Sequence, residues 1–351
     1  MELITRTTMK GYTQRLFSAL VVIAVLHGCK NAEIDHPDFD YTTGYFPYQY
    51  PVRTLILGED IYDNTNDNAH KFVISATMGG VYENERDRSF TFSVDESLCN
   101  NVSFGAAGAA IQPLPAGYYS LSSPGTIVIP GGKINGGVEV QLTDAFFDDP
   151  KSITLGYVVP LVLTGSNDVD SILAGSAGRT NPDRRITSDW IKVPKDFTMF
   201  AVKYINEFHG NYFHYGQANT SDAAGNRLDE QTYKKAYTEI NDVKLLKTTA
   251  RHQVEFTTHL QSKVMSGEIK MLLSFNGDQC TVTSADTNYV ITGTGQFKKG
   301  AFEWGNKKRN GITLEYKVSD KVNIYEAKDE LVVRDRAVVM ELYNPVVNRN
   351  N

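Results

Sequence analysis

Apolar and polar residues alternate with a period of two through much of the chain. Val138, Val140 and Leu142 alternate with Glu139 and Gln141, and Val254, Phe256, Thr258 and Leu260 alternate with Gln253, Glu255, Thr257 and His259. Ile312, Leu314, Tyr316 and Val318 alternate in the same way with Thr313, Glu315 and Lys317. Successive side chains on a strand point to opposite faces, so this pattern predicts half-buried β-strands with one wet face. Further strands are predicted at residues 72–77 (FVISAT), 89–94 (SFTFSV), 118–121 and 126–129. Residues 157–164 (YVVPLVLT) are apolar on both faces, as a central strand would be. Pro160 within it argues for an edge or a bulge, because proline has no N–H for the ladder. The second half predicts strands at 197–205, 208–216, 233–249, 268–275, 279–283, 288–292, 296–304 and 331–343. No long stretch has the apolar period of an amphipathic helix. The expected fold is therefore all-β: an Ig-like β-sandwich, then an antiparallel meander closing into a β-barrel. The charged, proline-bearing segment 189–196 (DWIKVPKD) sets the boundary, giving a sandwich over 46–190 and a barrel over 197–351.

The N-terminus has a different pattern. Lys10 and Arg15 precede an apolar run over residues 16–26 (LFSALVVIAVL). Spanning a bilayer takes roughly 20 apolar residues, so this run fits the core of a secretory signal peptide instead. Met9-Lys10 is a more usual signal start than Met1. The run ends in Leu26-His27-Gly28-Cys29, which is similar to the lipobox of bacterial lipoproteins, with His27 a departure from it. The expectation is a signal peptide over 1–28, lipidation of Cys29 and a polar tether over 29–45. Glu33, Asp35, Asp38 and Asp40 make that tether acidic, which in some lipoproteins directs export to the cell surface. The expected address is the outer membrane, at the cell surface, with its periplasmic face as the alternative.

Composition narrows the classes further. The 351 residues carry 35 Lys+Arg against 41 Asp+Glu, a formal net charge of −6 without a strong basic block. That argues against a nucleic-acid partner, which needs cations against phosphates. Cys99 and Cys280 lie far apart and without a C-x-x-C, so they read as buried free thiols rather than a redox or zinc site.

Motifs of chemistry are missing from the sequence. There is no G-x-S-x-G, no G-x-x-x-x-G-K-[ST] and no H-E-x-x-H. His209 and His214 stand five apart, which on a strand places them on opposite faces and reads as two surface or turn histidines. Residues 59–68 (EDIYDNTNDN) are rich in oxygen ligands but miss the EF-hand register, so they read as a turn capping its own backbone. Asp144, Asp148 and Asp149 form a second acidic loop of the same kind. Neither cofactor nor metal is expected. Aromatics reach 11% of the chain, and sugar C–H faces stack on aromatic rings. Trp304 beside a polar turn, with Tyr212, Phe213 and Tyr215, are the candidate ligand-binding residues. Trp190 at the boundary is expected to pack between the domains.

Residues 46–64 (FPYQYPVRTLILGEDIYDN), 72–84 (FVISATMGGVYEN), 113–147, 157–163 and 170–173 together resemble a known family. It is the N-terminal domain of Bacteroidetes polysaccharide-utilisation lipoproteins, also found fused to some endo-β-N-acetylglucosaminidases. The likeness covers roughly residues 40–185. Residues 197–216 resemble the start of the lipocalin-like C-terminal domain of the non-enzymatic members. The resemblance implies a glycan-related role beside an outer-membrane import complex and hands over no binding residue. The D-x-x-D-x-D-x-E motif of the fused enzymes is missing here, so a non-enzyme is expected. The expected function is a non-catalytic, lipid-anchored protein that binds an oligosaccharide or polysaccharide. The alternatives are a lipocalin-like carrier of a small apolar ligand, a structural adhesin or fimbrial lipoprotein, and a hydrolase with two carboxyls about 5 to 9.5 Å apart.

Overall fold

The computed structural model describes residues 38–285 and 287–348. The expected signal peptide, Cys29 and the start of the tether lie outside the described residues.

The first domain is built on β1 (Pro51–Ile56), β2 (Lys71–Gly79), β3 (Arg88–Val94), β4 (Thr126–Ile129), β5 (Asn135–Leu142), β6 (Tyr157–Gly165) and β7 (Phe197–Ile205). β2 and β5 pair antiparallel in one sheet, flanked by the short strands Thr43–Tyr45 and Tyr119–Leu121. The second sheet runs in the order β1-β7-β6-β3-β4. The period of two explains the doubly apolar β6. Tyr157, Val159, Leu161 and Leu163 enter the core between the sheets, while Val158 and Val162 enter a second core on the outer face. That outer core is closed by Leu98, Cys99, Val102 and Tyr343.

Three expectations are corrected here. β7 does not open the barrel: it is a central strand of the sandwich, parallel to β1 and antiparallel to β6. Its sequence FTMFAVKYI is buried on both faces, which calls for a sheet covered on both sides rather than a wall with a wet face. The C-terminus also returns to the first domain. Glu341–Leu342 pairs with β1, Val346–Val347 pairs with Val102–Ser103, and the Tyr343 hydroxyl donates to Met199 O at 2.7 Å. Pro160 is likewise in a central strand, not at an edge. β6 pairs with Gln112–Pro113 through Tyr157 and Val158, then with β3 from Leu161 onward. Pro160 sits where one neighbour replaces the other, so its missing N–H costs no ladder bond.

The second domain comprises β8 (Gly210–Asp222), β9 (Arg227–Thr232), β10 (Asp242–Ala250), β11 (Gln253–His259), β12 (Glu268–Asn276), β13 (Gln279–Ser284), β14 (Val290–Trp304), β15 (Lys307–Ser319) and β16 (Asn323–Asp335). All but β9 form an antiparallel ring in chain order, closed where β16 pairs with β8 from Asn211 to Asp222. β9 is a hairpin on the far half of β8. The strand expected over 233–249 begins only at Asp242, because Asn241 folds the chain before it. Its amide donates to Tyr237 O and Thr238 O, and its oxygen accepts from Lys235 N. Inside the ring, Phe256, Met271, Leu314, Tyr316 and Tyr325 are fully or nearly buried, and the Phe208 and Phe275 rings stack 3.6 Å apart. An eight-stranded barrel is just wide enough for side chains to fill, and these side chains occupy the lumen.

Candidate functional site

The four aromatics singled out in the sequence do not meet on a surface. Tyr212 faces the lumen, 1% exposed, and donates to Phe208 O at 2.9 Å. Phe213 and Tyr215 lie on the outer face of the barrel, where they are buried with Val332 under Phe302 and Trp304. The cover comes from the far end of the β14–β15 hairpin. A bulge between Lys298 and Phe302 puts extra residues into β14, and Gly300 there has φ +59°. The bulge turns the hairpin tip back over the barrel wall. Phe302 then lies against Gly311, where a Cβ would come within 2.5 Å of its ring. Trp304 is thus not a free stacking platform. Its Nε1 donates to Val333 O at 2.9 Å, its ring meets Phe213 edge-on, and the Arg309 guanidinium covers it at 3.9 Å from the centroid. Trp190 is not an interdomain residue either: it donates to Asp183 O at 2.7 Å within a ribbon of the first domain.

The folded hairpin shapes a cleft of about 930 Å³ between the two domains. One wall is β1 and the loop Glu59–Tyr62; the other is Lys308–Asn310 with Val333–Met340. The loop is held by its own polar groups. Asn64 donates to Ile56 O and Gly58 O, Asn68 donates to Gly58 O, and Asp67 accepts from Ile56 N and Arg53. The oxygen-rich segment is therefore spent on shaping a turn, and it projects Ile61 and Tyr62 into solvent. Tyr62 is 75% exposed, and Val339 and Met340 are exposed across from it. Lys299 and then Asn310 bond the Glu59 carboxylate and hold its pKa below the ordinary range, fixing the loop to the hairpin.

At the cleft floor, Arg336 is 8% exposed and binds four backbone carbonyls. It donates to His209 O, Glu59 O, Leu57 O and Asn206 O at 2.9, 2.7, 3.0 and 2.7 Å. A second link joins the domains elsewhere: Arg251, in the turn after β10, pairs with Asp144 and Asp148. The second acidic loop is thus an interdomain contact.

The histidines also differ from expectation. His214 is no surface residue: its Nε2 lies 2.8 Å from Asp329 Oδ2 inside the barrel. Tyr316 donates to the same oxygen at 3.0 Å, and Tyr233 to the other. His209 accepts from Thr248 N at Nδ1, and burial first, then Arg336, lowers its pKa to about 4. Among the described residues no cluster of His, Cys, Asp and Glu is arranged to hold a metal. Cys99 and Cys280 are buried and free, with burial pushing both thiols up to about 12.

Residues 39–170 match a family of N-terminal domains, and residues 207–337 match a domain of unknown function (DUF5627). A solved protein of unknown function from Bacteroides ovatus is 38% identical, with a TM-score of 0.82 over 88% of this chain and 100% of its own. The chain belongs to the family of that Bacteroides protein. A multidomain Bacteroides ovatus protein including DUF1735 is 12% identical, with 85% of this chain and 97% of that one covered and a TM-score of 0.41. Another Bacteroides ovatus protein of unknown function is 14% identical, with 85% and 94% covered and a TM-score of 0.41. A comparison with curated proteins finds no match. The DUF5627 match begins two residues after β7, so it coincides with the barrel, and β7 falls outside both matched segments.

The sequence contained one sign of the cleft: two large apolar residues, Ile61 and Tyr62, inside an otherwise polar loop. Nothing in the sequence marked Arg336 or Lys308, because residues more than two hundred apart form the opposite wall.

Proposed function

We propose that the chain is a non-catalytic glycan-binding protein whose binding site is the interdomain cleft. The observation that carries this reading is the exposed Tyr62 ring at the mouth of a roomy cleft with amide and guanidinium donors along its walls. Ligand sites favour domain junctions, and a sugar needs a ring to stack on and fixed donors for its hydroxyls. Asn310 and Arg334 line the wall opposite Tyr62 and supply such donors. The filled lumen favours the cleft over the barrel interior as the ligand site, and hence a saccharide over an enclosed apolar ligand.

In this reading Cys29 carries the lipid, the acidic tether spaces the sandwich from the outer membrane, and the cleft faces outward beside a glycan import complex. The resemblance to polysaccharide-utilisation lipoproteins supports that setting. The test is a glycan screen on the full-length chain in detergent micelles, with Tyr62→Ala in parallel and a product assay on each hit. Binding without turnover that Tyr62→Ala weakens about tenfold is the expected result. Undiminished binding by Tyr62→Ala would move the site elsewhere, and released product would make the protein an enzyme.

A further inference from the structure

The cleft walls carry more cations than the protein's overall charge suggests. The chain as a whole is at −6, yet five Lys and Arg side chains line the cleft against three carboxylates. Two of the five are already committed: Arg53 pairs with Asp67, and Arg336 is spent on carbonyls. The other three are not. Lys308 forms no ion pair with any described residue. The Arg309 guanidinium sits over the Trp304 ring, 3.9 Å from its centroid, and its buried Nε–H finds no acceptor among the described residues. Among the described residues, Arg334 pairs only with the neighbouring Asp335, at 3.5 Å.

The carboxylates, by contrast, are already bonded. Glu59 is held by Lys299 and Asn310, and Asp335 accepts from Asn211 and from Ala337 N. Asp60 accepts from Ile61 N. Cations left over on one wall of a cleft focus a positive field there, and an oxyanion is the counterpart they lack. We infer that the cleft takes a saccharide bearing an anionic substituent, a uronate carboxylate or a sulfate ester, bound by Lys308, Arg309 and Arg334. A planar guanidinium and a mobile ammonium suit either oxyanion. Arg309 also owes its orientation to Trp304, which gives that aromatic an indirect role in the site.

This inference rests on the cleft being the glycan site, and the test separates the two. Full-length protein is titrated with a galacturonate oligosaccharide and its carboxyl-reduced counterpart, and with a sulfated galactan and its desulfated counterpart. The variants are Tyr62→Ala and the pair Lys308→Ala with Arg334→Ala, both on exposed side chains. The expected result is at least about tenfold tighter binding of one charged ligand than its neutral form. That preference falls with added salt and disappears in the double variant, which binds charged and neutral forms alike. Whichever pair shows the preference identifies the anion. Equal binding of charged and neutral forms, still dependent on Tyr62, would overturn the inference and leave the glycan reading standing. No binding of any form would overturn both.

Discussion

Arg336 donates to the Glu59 carbonyl at 2.7 Å, joining residues 277 apart. The same guanidinium reaches Leu57 O on the first domain and Asn206 O and His209 O on the link into the barrel. Among the described residues the buried charge has no carboxylate in hydrogen-bond contact, so its stability depends on those four carbonyl dipoles. Removing it strands them in a site shielded from water. Arg336→Ala is expected to lower stability by about 3 kcal/mol. Arg336→Lys should rescue little, because an ammonium lacks the planar fork that reaches four acceptors. Urea unfolding followed separately by probes in the two domains would show it. A loss below about 0.5 kcal/mol, within the usual range for surface substitutions, would refute the clamp.

His209 lies under that clamp and gives the fold a pH dependence. Burial and the Arg336 charge lower its pKa from 6.5 to about 4. Between those values the unfolded chain takes up a proton that the folded chain refuses. Stability from this group is therefore complete above about pH 6.5 and is lost as pH falls through the window toward pH 4. A loss of about 3 kcal/mol is expected across the window. His209→Gln should flatten this part of the profile, measured as the urea midpoint against pH. An unchanged slope in the variant would sink the assignment.

The sheet content was legible because it rests on local alternation. β5, β11 and β15 follow from period two alone, and each buries the face its pattern marks. The domain boundary was not, because it depends on pairing. β7 follows a charged, proline-bearing segment and looks like a fresh start, yet it pairs between β1 and β6, with one face in the core between the sheets and the other under Leu98, Val102 and Tyr343. The aromatic cluster misled for a related reason. Tyr212, Phe213 and Tyr215 are near neighbours in sequence, but adjacent strand positions face opposite ways, and the bulged hairpin that covers two of them arrives from about ninety residues downstream.

Trp304 and Tyr62 should behave oppositely on substitution. Trp304 joins the hairpin to the barrel through Val333 and Phe213, with Arg309 of its own hairpin over the ring. Trp304→Ala is expected to cost about 3 kcal/mol, with Trp304→Phe recovering much of it by keeping the edge contact on Phe213. Tyr62→Ala, at an exposed loop tip, should change stability by less than about 0.5 kcal/mol. Thermal unfolding of the three variants, read beside glycan binding, separates a structural aromatic from a contacting one. Equal destabilisation by Trp304→Ala and Tyr62→Ala would contradict the burial difference.

The buried Asp329 carboxylate explains why a glycine lines the barrel at position 216. A Cβ on Gly216 would stand 2.5 Å from Asp329 Oδ1 and 2.4 Å from the Lys328 carbonyl. The space is taken because Asp329 gathers three partners, His214, Tyr233 and Tyr316, and only backbone fits beside them. Tyr233 comes from the segment just after β9, so this network also pins the β9 hairpin to the barrel wall. Asp329→Ala leaves two hydroxyls and an imidazole unpaired and is expected to cost about 4 kcal/mol. Gly216→Ala should force the same network apart and cost nearly as much. Tyr233→Phe removes one bond, costs about 1 kcal/mol, and should loosen β9 selectively. Limited proteolysis would then cut near the Gly225 turn in Tyr233→Phe before the rest of the barrel is attacked. If that variant is cleaved no faster there than the parent, the hairpin is held by its backbone pairing with β8 and not by Asp329.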